Sequence, residues 1–343
     1  MSAARVLSEV LERAADSRGR FVFVDDDGAE HVRTFEALHQ EALRIGGMLL
    51  NDGLNPGDHV ALVLPEPEAF VCSFFGAVMA GLVPVPMYPP VNIGQLEAYL
   101  QNTHHILQAA SARVVLTTGP LQQLLAMAAG DGPCRVRVLE ELEGPALSSA
   151  APVRPDDVSF LQFTSGSTSR PKGVMLSHTA LLANVDAIAH WNRATERDVA
   201  VSWLPLYHDM GLIGMLMGTL WVRAQAVLMW PIVFAKYPGT WLSLISRHRA
   251  TISFAPNFAY ALATRRVREH DIAALDLSTW RIAGCGAEPV QAATLQAFAA
   301  RFAPGGFRET AFCPCYGMAE HTLAITLPAL DRPLRVDHVR GTD

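Results

Sequence analysis

Short apolar runs alternate with longer segments of helical periodicity along most of this chain, and this alternation limits the possible folds most strongly. The runs predict strands, and the segments between them, with apolar residues three and four positions apart, predict helices. Strands are predicted at residues 59–64, 83–85, 113–117, 158–163, 174–176, 199–203, 226–229, 251–255 and 281–283. Helices are predicted at residues 69–80, 211–222, 240–247, 258–268 and 290–302, with others near the N-terminus, after Thr34 and after Ser177. The pattern predicts an α/β fold of mostly parallel sheets flanked by helices.

Residues 69–88 carry no charge and are long enough to suggest a membrane span. Gly81, Pro84 and Pro86 interrupt the stretch, and it has no basic anchors. A buried helix followed by a short strand is therefore predicted, and no membrane span is expected. The N-terminal segment with Glu9 and Glu12 has the pattern of an amphipathic helix and not of a signal peptide.

Composition limits the classes of partner that the protein can bind and the cellular compartment in which it is expected. The net charge of −6 over 343 residues, without a basic block, argues against nucleic acid as a partner. Five cysteines, an odd number without a zinc-binding spacing, favour a reduced, cytoplasmic setting. Residues 130–155 are rich in Gly, Pro, Ser and Glu. They could connect two subdomains, 1–150 and 151–343, or form a long surface loop.

The segment 164–173, Thr-Ser-Gly-Ser-Thr-Ser-Arg-Pro-Lys-Gly, lies between two predicted strands. Its hydroxyls, its backbone N–H groups and Lys172 can face a polyanion. A kinase-type P-loop fits poorly, because five residues separate Gly166 from Lys172 and a strand follows. A flexible Ser/Gly linker is the other alternative, but linkers seldom lie between apolar strands. The segment therefore predicts a phosphate-binding loop.

This loop resembles that of the adenylate-forming superfamily, which includes acyl-CoA synthetases, nonribosomal peptide adenylation domains and luciferases. Two later motifs agree in order: Trp-Leu-Pro-Leu-Tyr-His-Asp-Met-Gly-Leu at 203–212 and Cys-Tyr-Gly-Met-Ala-Glu at 315–320. Ser169 stands where the usual pattern has glycine, which is similar to the fatty acyl-AMP ligase branch. Residues 83–90 and 255–260 are also similar to that branch.

The resemblance implies ATP and Mg²⁺ as cofactors and assigns roles to individual residues. His208, Lys172 and Glu320 would be catalytic, with Glu320 as the metal ligand, since Mg²⁺ favours carboxylates plus phosphates. The nucleotide would be bound by Thr164, Ser165, Gly166, Ser167, Thr168, Lys172, Gly286, Ala287, Glu288, Tyr316, Gly317 and Met318. The acid would contact His208, Gly214, Ile232, Asn257 and Phe258. Residues 210–222 carry no charge and include Gly211, Gly214 and Gly218, which leave room for a ligand or for close helix packing. The residues alone favour close packing, and the resemblance favours one wall of an acyl tunnel.

The implied activity is ATP-dependent activation of a fatty acid to acyl-AMP, with transfer to the phosphopantetheine thiol of an acyl carrier protein. A fatty acyl-CoA ligase and a non-catalytic module that binds nucleotide or acyl-adenylate are the alternatives. The family's C-terminal lid domain, with its catalytic lysine, has no counterpart before Asp343. The chain is therefore expected to be the N-terminal part of such an enzyme, with weak or absent turnover in isolation.

Overall fold

Two largely parallel sheets organise the computed structural model, which describes residues 4–90, 96–164 and 170–337. The large sheet has the strand order β13-β12-β11-β9-β10-β1-β2, and all its neighbours are parallel except β1 and β2. Its strands are β1 (Arg20–Val24), β2 (Glu30–Thr34), β9 (Val199–Ser202), β10 (Gln225–Met229), β11 (Ile252–Ala255), β12 (Ile282–Cys285) and β13 (Phe312–Pro314). The predicted α/β class is confirmed.

The second sheet is smaller and wholly parallel, with the order β4-β3-β5-β6. It consists of β3 (His59–Leu62), β4 (Val83–Pro86), β5 (Val114–Thr117) and β6 (Arg135–Val138). Two antiparallel pairs complete the strands: β7 (Val158–Thr164) with β8 (Lys172–Ser177), and β14 (Tyr316–Gly317) with β15 (Ala324–Thr326).

Helices cover both sheets. They are α1 (Leu7–Ala15), α2 (Phe35–Asn51), α3 (Pro67–Met79), α4 (Leu96–Ala109), α5 (Gly119–Ala129), α6 (His178–Asn192), α7 (Gly218–Trp221), α8 (Pro231–Lys236), α9 (Gly239–Arg247), α10 (Asn257–Arg266), α11 (Glu269–Ile272) and α12 (Ala292–Phe302). The predicted caps are confirmed, because Thr34 Oγ1 accepts a hydrogen bond from Ala37 N at 3.1 Å and Ser177 Oγ from Ala180 N at 3.2 Å.

The predicted helix at 211–222 forms as a π-helix, Met210–Met217, which continues into α7. π-helices are rare in proteins, and those that occur are often found at functional sites. Gly211 permits it to start close to the preceding loop, since a Cβ there would lie 2.3 Å from Pro205 O.

Residues 69–88 form the predicted buried helix and strand, as α3 and β4. Within the described residues no helix has both the length and the hydropathy to cross a membrane. One buried cluster joins side chains from both sheets, including Leu62 and Leu116 of the small sheet and Val227 of the large one. The division into subdomains 1–150 and 151–343 stays a prediction.

Several elements lie where the sequence patterns indicated nothing. Strand β2 is exposed at four of its five positions, so it has neither an apolar run nor an alternation. Strand β6, with exposed Arg135, lies inside residues 130–155, so neither a plain linker nor a plain surface loop describes that segment. Both strands are sheet edges, where side chains are least constrained to be apolar.

Candidate active site

A cavity of about 330 Å³ opens beyond the carboxyl ends of β9 and β12 and continues toward the amino ends of β9 and β11. In open α/β sheets ligands bind at this carboxyl edge. The outer part, here called the reaction end, is lined by Thr164, His208, Asp209, Ala287 and residues 315–320. The inner part, here called the inner lobe, is mostly apolar. Its lining includes Ile188, Gly218, Val222 and Ile252, together with the polar residues Asn192 and Asp198.

The predicted phosphate-binding loop connects an antiparallel pair of strands. In that pair Thr164 is the register partner of Lys172. Thr164 lines the cavity, whereas Lys172 lies exposed at the start of β8 and is not among the lining residues. Ser165, Gly166, Ser167 and Thr168 lie outside the described residues. Their predicted contacts with phosphate stay predictions.

Residues 286–288 turn away from the end of β12 next to residue 315. A Cβ at Gly286 would lie 2.7 Å from Cys315 Sγ, so this close approach requires glycine. Ala287 follows with φ 67° and lines the cavity. A non-glycine residue in the left-handed region is strained, and such strain is common at functional sites. Glu288 points elsewhere, since its Oε1 accepts a hydrogen bond from Phe258 N at 2.6 Å.

Tyr316, Gly317 and Met318 form one wall of the reaction end. Tyr316 is 60% exposed and Met318 is 39% exposed, although both are large and apolar. Exposed aromatic and thioether side chains at the edge of a cavity offer a flat surface on which a heterocyclic base could stack. The Cys315 thiol lies behind them, and its burial raises its pKa to about 12. It is therefore a packing group and not a nucleophile.

Glu320 lies on the short turn Ala319–His321, with its side chain exposed at the reaction end. Among residues 4–90, 96–164 and 170–337 there is no group of three or more His, Cys, Asp or Glu side chains that could hold a metal. Magnesium does not require such a group, because it is usually bound through one or two carboxylates plus phosphates. Glu320 therefore fits a magnesium ion that is carried by a nucleotide.

His208 is held by its neighbour Asp209. Asp209 Oδ1 lies 2.8 Å from His208 Nδ1 and accepts a hydrogen bond from Met210 N at 2.6 Å. The hydrogen bond with Asp209 raises the pKa of His208 above its ordinary value, against the opposing effect of burial. A raised pKa means that the imidazolium persists to a higher pH than in a free histidine. His208 can thus present positive charge to a carboxylate.

The inner lobe lies between the π-helix, the C-terminal half of α6 and the starts of β9 and β11. Gly214 lines it, and a Cβ there would contact Leu323 Cδ2 at 3.1 Å. A Cβ at Gly218 would have only Ile213 O within 4 Å, at 3.7 Å, so this glycine leaves open space. Of the two explanations given for the glycines of this helix, close packing accounts for Gly211, and open volume accounts for Gly218.

Three predicted substrate contacts lie outside this cavity. The Phe258 ring packs edge-on against Trp203 at 6.0 Å, and Asn257 Oδ1 accepts a hydrogen bond from Gln291 N at 2.9 Å. Ile232 is 42% exposed on α8. None of the three lines the cavity. Their predicted contact with the acid therefore stays a prediction.

A second cavity of about 380 Å³ adjoins the reaction end and shares Thr164, His208, Asp209 and Ala319 with it. Gln162 lines this second cavity and donates from Nε2 to Tyr207 O at 2.9 Å. The buried Gln162 Oε1 has no partner among the described residues. The sequence patterns indicated neither this cavity nor the inner lobe residues Asn192 and Asp198. The charge-free π-helix with its glycines was the only signal for the inner lobe.

Comparison with known proteins finds the predicted family over most of the chain. A sequence model of the family described as AMP-binding enzyme matches residues 11–341. A putative acyl-CoA synthetase of Caulobacter vibrioides is 39% identical over 307 residues, covering 88% of this chain and 53% of the relative. A 4-hydroxyphenylalkanoate adenylyltransferase of Mycobacterium marinum is 36% identical, covering 96% of this chain and 55% of the relative.

A medium-chain fatty acid–[acyl-carrier-protein] ligase of Teredinibacter turnerae is 31% identical, covering 89% of this chain and 54% of the relative. The chain thus spans about half the length of the curated relatives it matches.

Solved structures agree with the sequence relatives. One from a study of fatty acyl-adenylate ligases from E. coli and L. pneumophila superposes with a TM-score of 0.91 at 36% identity, covering 95% of this chain and 60% of that one. The L. pneumophila ligase in complex with acyl adenylate and pyrophosphate gives 0.88 at 34% identity, covering 96% and 58%. These matches confirm the resemblance to the adenylate-forming superfamily. The chain belongs to the family of AMP-binding enzymes.

Proposed function

We propose that the protein activates a fatty acid with ATP to form an acyl-adenylate. The observation that carries this proposal is the continuity of one cavity, with a polar reaction end and a mostly apolar inner lobe. A nucleotide and a carboxylate fit the first part, and an alkyl chain fits the second. Relatives named as fatty acyl-AMP and medium-chain fatty acid ligases support the same assignment.

In the proposed reaction a carboxylate oxygen of the acid attacks the α-phosphorus of ATP. The bond from that phosphorus to the pyrophosphate oxygen breaks, and acyl-AMP and pyrophosphate result. Anions converge in this step, so cationic and hydrogen-bonding groups must offset their charge. His208, whose pKa is raised by the hydrogen bond with Asp209, would orient the attacking carboxylate. Thr164 and Lys172, together with the loop between them, would hold the pyrophosphate part.

The remaining roles follow from position. Tyr316 would stack on adenine, and Ala287, with Gly286 behind it, would lie along the base. Glu320 would hold a magnesium ion on the phosphates, and that ion would neutralise phosphate charge when bound. Glu288 keeps its predicted nucleotide-binding role as a proposal only, because its carboxylate binds Phe258 N.

We propose an acyl carrier protein as acceptor, whose phosphopantetheine sulfur would attack the acyl carbon and release AMP. The relative named as an acyl-carrier-protein ligase supports this acceptor. The second cavity would give the thiol a separate approach to the reaction end. A fatty acyl-CoA ligase is the second candidate, supported by the relative named as a putative acyl-CoA synthetase. All five cysteines are free, which supports a cytoplasmic setting.

Calorimetry on this chain tests the first step. The probe is a dodecanoyl-sulfamoyl adenosine, a non-hydrolysable analogue of the acyl-adenylate, with adenosine alone as the control. We expect the probe to bind at least tenfold more tightly than adenosine, because the inner lobe takes up its alkyl chain. Equal affinities, or no binding of either compound, would contradict the proposal.

Turnover and acceptor need two further measurements. Pyrophosphate release distinguishes an enzyme from a module that only binds, and weak or absent release from this chain alone stays a prediction. Product analysis with coenzyme A and a carrier protein offered together distinguishes the two acceptors. Acyl-carrier-protein is the expected product, and acyl-CoA alone would favour the second candidate.

A further inference from the structure

The inner lobe extends along the large sheet and reaches polar groups at its far end. Asp198, Ala224 and Ile252 stand at the amino ends of neighbouring strands, whereas His208 lies beyond the carboxyl end of β9. The four residues of β9 at about 3.3 Å each give a path on the order of 13 Å. An acyl chain of medium length can therefore reach the far end, where Asn192 and Asp198 line the cavity.

Asn192 is the last residue of α6 and only 7% exposed. Its amide orientation is fixed, because Oδ1 accepts a hydrogen bond from Ala194 N at 2.9 Å. A flipped amide would set N–H groups against that backbone N–H. Nδ2 therefore points away from Ala194 and makes no hydrogen bond with the described residues, and Asn192 lines the inner lobe. An amide N–H₂ left unpaired in an apolar lobe is unfavourable unless a ligand or a water molecule accepts from it.

The carboxylate beside it is already satisfied. Asp198 Oδ1 accepts from Thr251 Oγ1 at 2.7 Å and from Arg281 Nη2 at 2.9 Å, and Oδ2 accepts from Thr195 N at 2.8 Å. Thr219 Oγ1 donates to Met215 O at 2.6 Å. What remains for a ligand at this end of the lobe is the donor Asn192 Nδ2.

We propose that Asn192 recognises an oxygen atom in the distal part of the acyl chain, so that the preferred substrates are ω-oxygenated acids and not plain alkanoic acids. The inference rests on the proposed function and names its substrate class. A hydroxyl, keto or ether oxygen near the end of the chain accepts from Nδ2. A plain alkyl chain displaces any water there and leaves the donor unpaired.

The test compares acyl-sulfamoyl adenosines whose chains run from octanoyl to tetradecanoyl, each made plain and with a terminal hydroxyl. Calorimetry with the unmodified chain is expected to show a preference of about fivefold to tenfold for the hydroxylated member at one matching length. Equal affinities, or a preference for the plain member at every length, would overturn the inference. Such results would mean that water alone serves Asn192.

The variant N192D isolates the donor. Its Oδ1 still accepts from Ala194 N, but its second atom is an oxygen that donates nothing unless protonated. For a terminal methyl ether, which can only accept, we expect the ratio of its affinity to that of the plain member to fall to about one, while the affinity for adenosine stays unchanged. A terminal hydroxyl could still donate to the new carboxylate, so the ether is the probe for this variant. Should the variant fold poorly, the comparison on the unmodified chain decides alone. If no acyl-sulfamoyl adenosine binds better than adenosine, the proposed function itself fails, which is a different outcome.

Discussion

The two ends of the cavity are built differently. The reaction end consists mostly of loops, short turns and the two-residue strand β14, with exposed side chains such as Tyr316 and Glu320. The inner lobe consists of regular elements, where Ile188, Gly218 and Ile252 come from helices and a strand. The proposed chemistry would thus lie on connections held by a rigid scaffold, and the proposed recognition of the acyl chain would lie within the scaffold. The two ends should therefore respond separately to substitution.

The largest difference between the effects on ATP affinity and on affinity for the acyl-adenylate analogue is expected at Glu320. In Glu320→Gln the charge that attracts magnesium is lost, so affinity for ATP in the presence of magnesium should fall about tenfold to a hundredfold. The dodecanoyl-sulfamoyl adenosine has no β- or γ-phosphate, and its affinity should change less than twofold. Calorimetry with both ligands measures the split. Glu309→Gln is the matched control, because Glu309 is also exposed on a short turn but lies outside the cavity.

The opposite result, a loss of affinity for the acyl chain without a loss for the nucleoside, is expected at Gly218. A leucine side chain there would enter open space in the inner lobe. Gly218→Leu should weaken binding of the dodecanoyl probe about tenfold, leave octanoyl less affected, and not change adenosine. The comparison of the three ligands locates the alkyl chain. Unchanged dodecanoyl binding would place the chain elsewhere, for example toward Ile232 and Phe258.

The sequence predicted the two ends of the cavity to different extents, because one is built largely from loops and the other from regular elements. At the reaction end, contiguous residues supply much of the lining, so residues 315–320 and the His208 segment were visible as motifs. These residues and Ala287 line one cavity although they are far apart in the sequence, and the roles predicted for them stay predictions. Residues 165–169, the core of the loop motif, lie outside the described residues and remain untested.

The inner lobe left little trace in the sequence. Asn192 ends α6, and Asp198 and Ala224 immediately precede β9 and β10; each is an ordinary residue at the edge of an element. Only strand order brings them together, and order is a property of the whole sheet. The edge strands β2 and β6 were missed for a related reason, since exposure removes the apolar periodicity on which strand prediction rests.

A smaller effect is expected from pH at the reaction end. His208 is protonated to a higher pH than free histidine, because Asp209 raises its pKa. Affinity for a fatty acid carboxylate should therefore hold below that pKa and fall several-fold as the pH rises through it. Asp209→Asn removes the carboxylate that raises the pKa of His208, so the loss of fatty acid affinity should occur at a lower pH. The amide oxygen of the substituted side chain can still accept from Met210 N. A fatty acid affinity that is flat between about pH 6 and 9 in the unmodified protein would contradict the role of His208.

The smallest effect on ligands is expected where the scaffold is weakened without touching the cavity. Ser177 caps α6, whose other end carries Asn192, and Thr34 caps α2 in the same way. Ser177→Ala and Thr34→Ala should each lower the free energy of unfolding by about 1 kcal/mol, measured by denaturant titration. Neither should change affinity for the dodecanoyl probe by more than about twofold, because the packing of its buried apolar face keeps a folded α6 in position. A selective loss of affinity in Ser177→Ala would show that the inner lobe forms only on binding, and the contrast between a reaction end built from loops and a preformed lobe would fail.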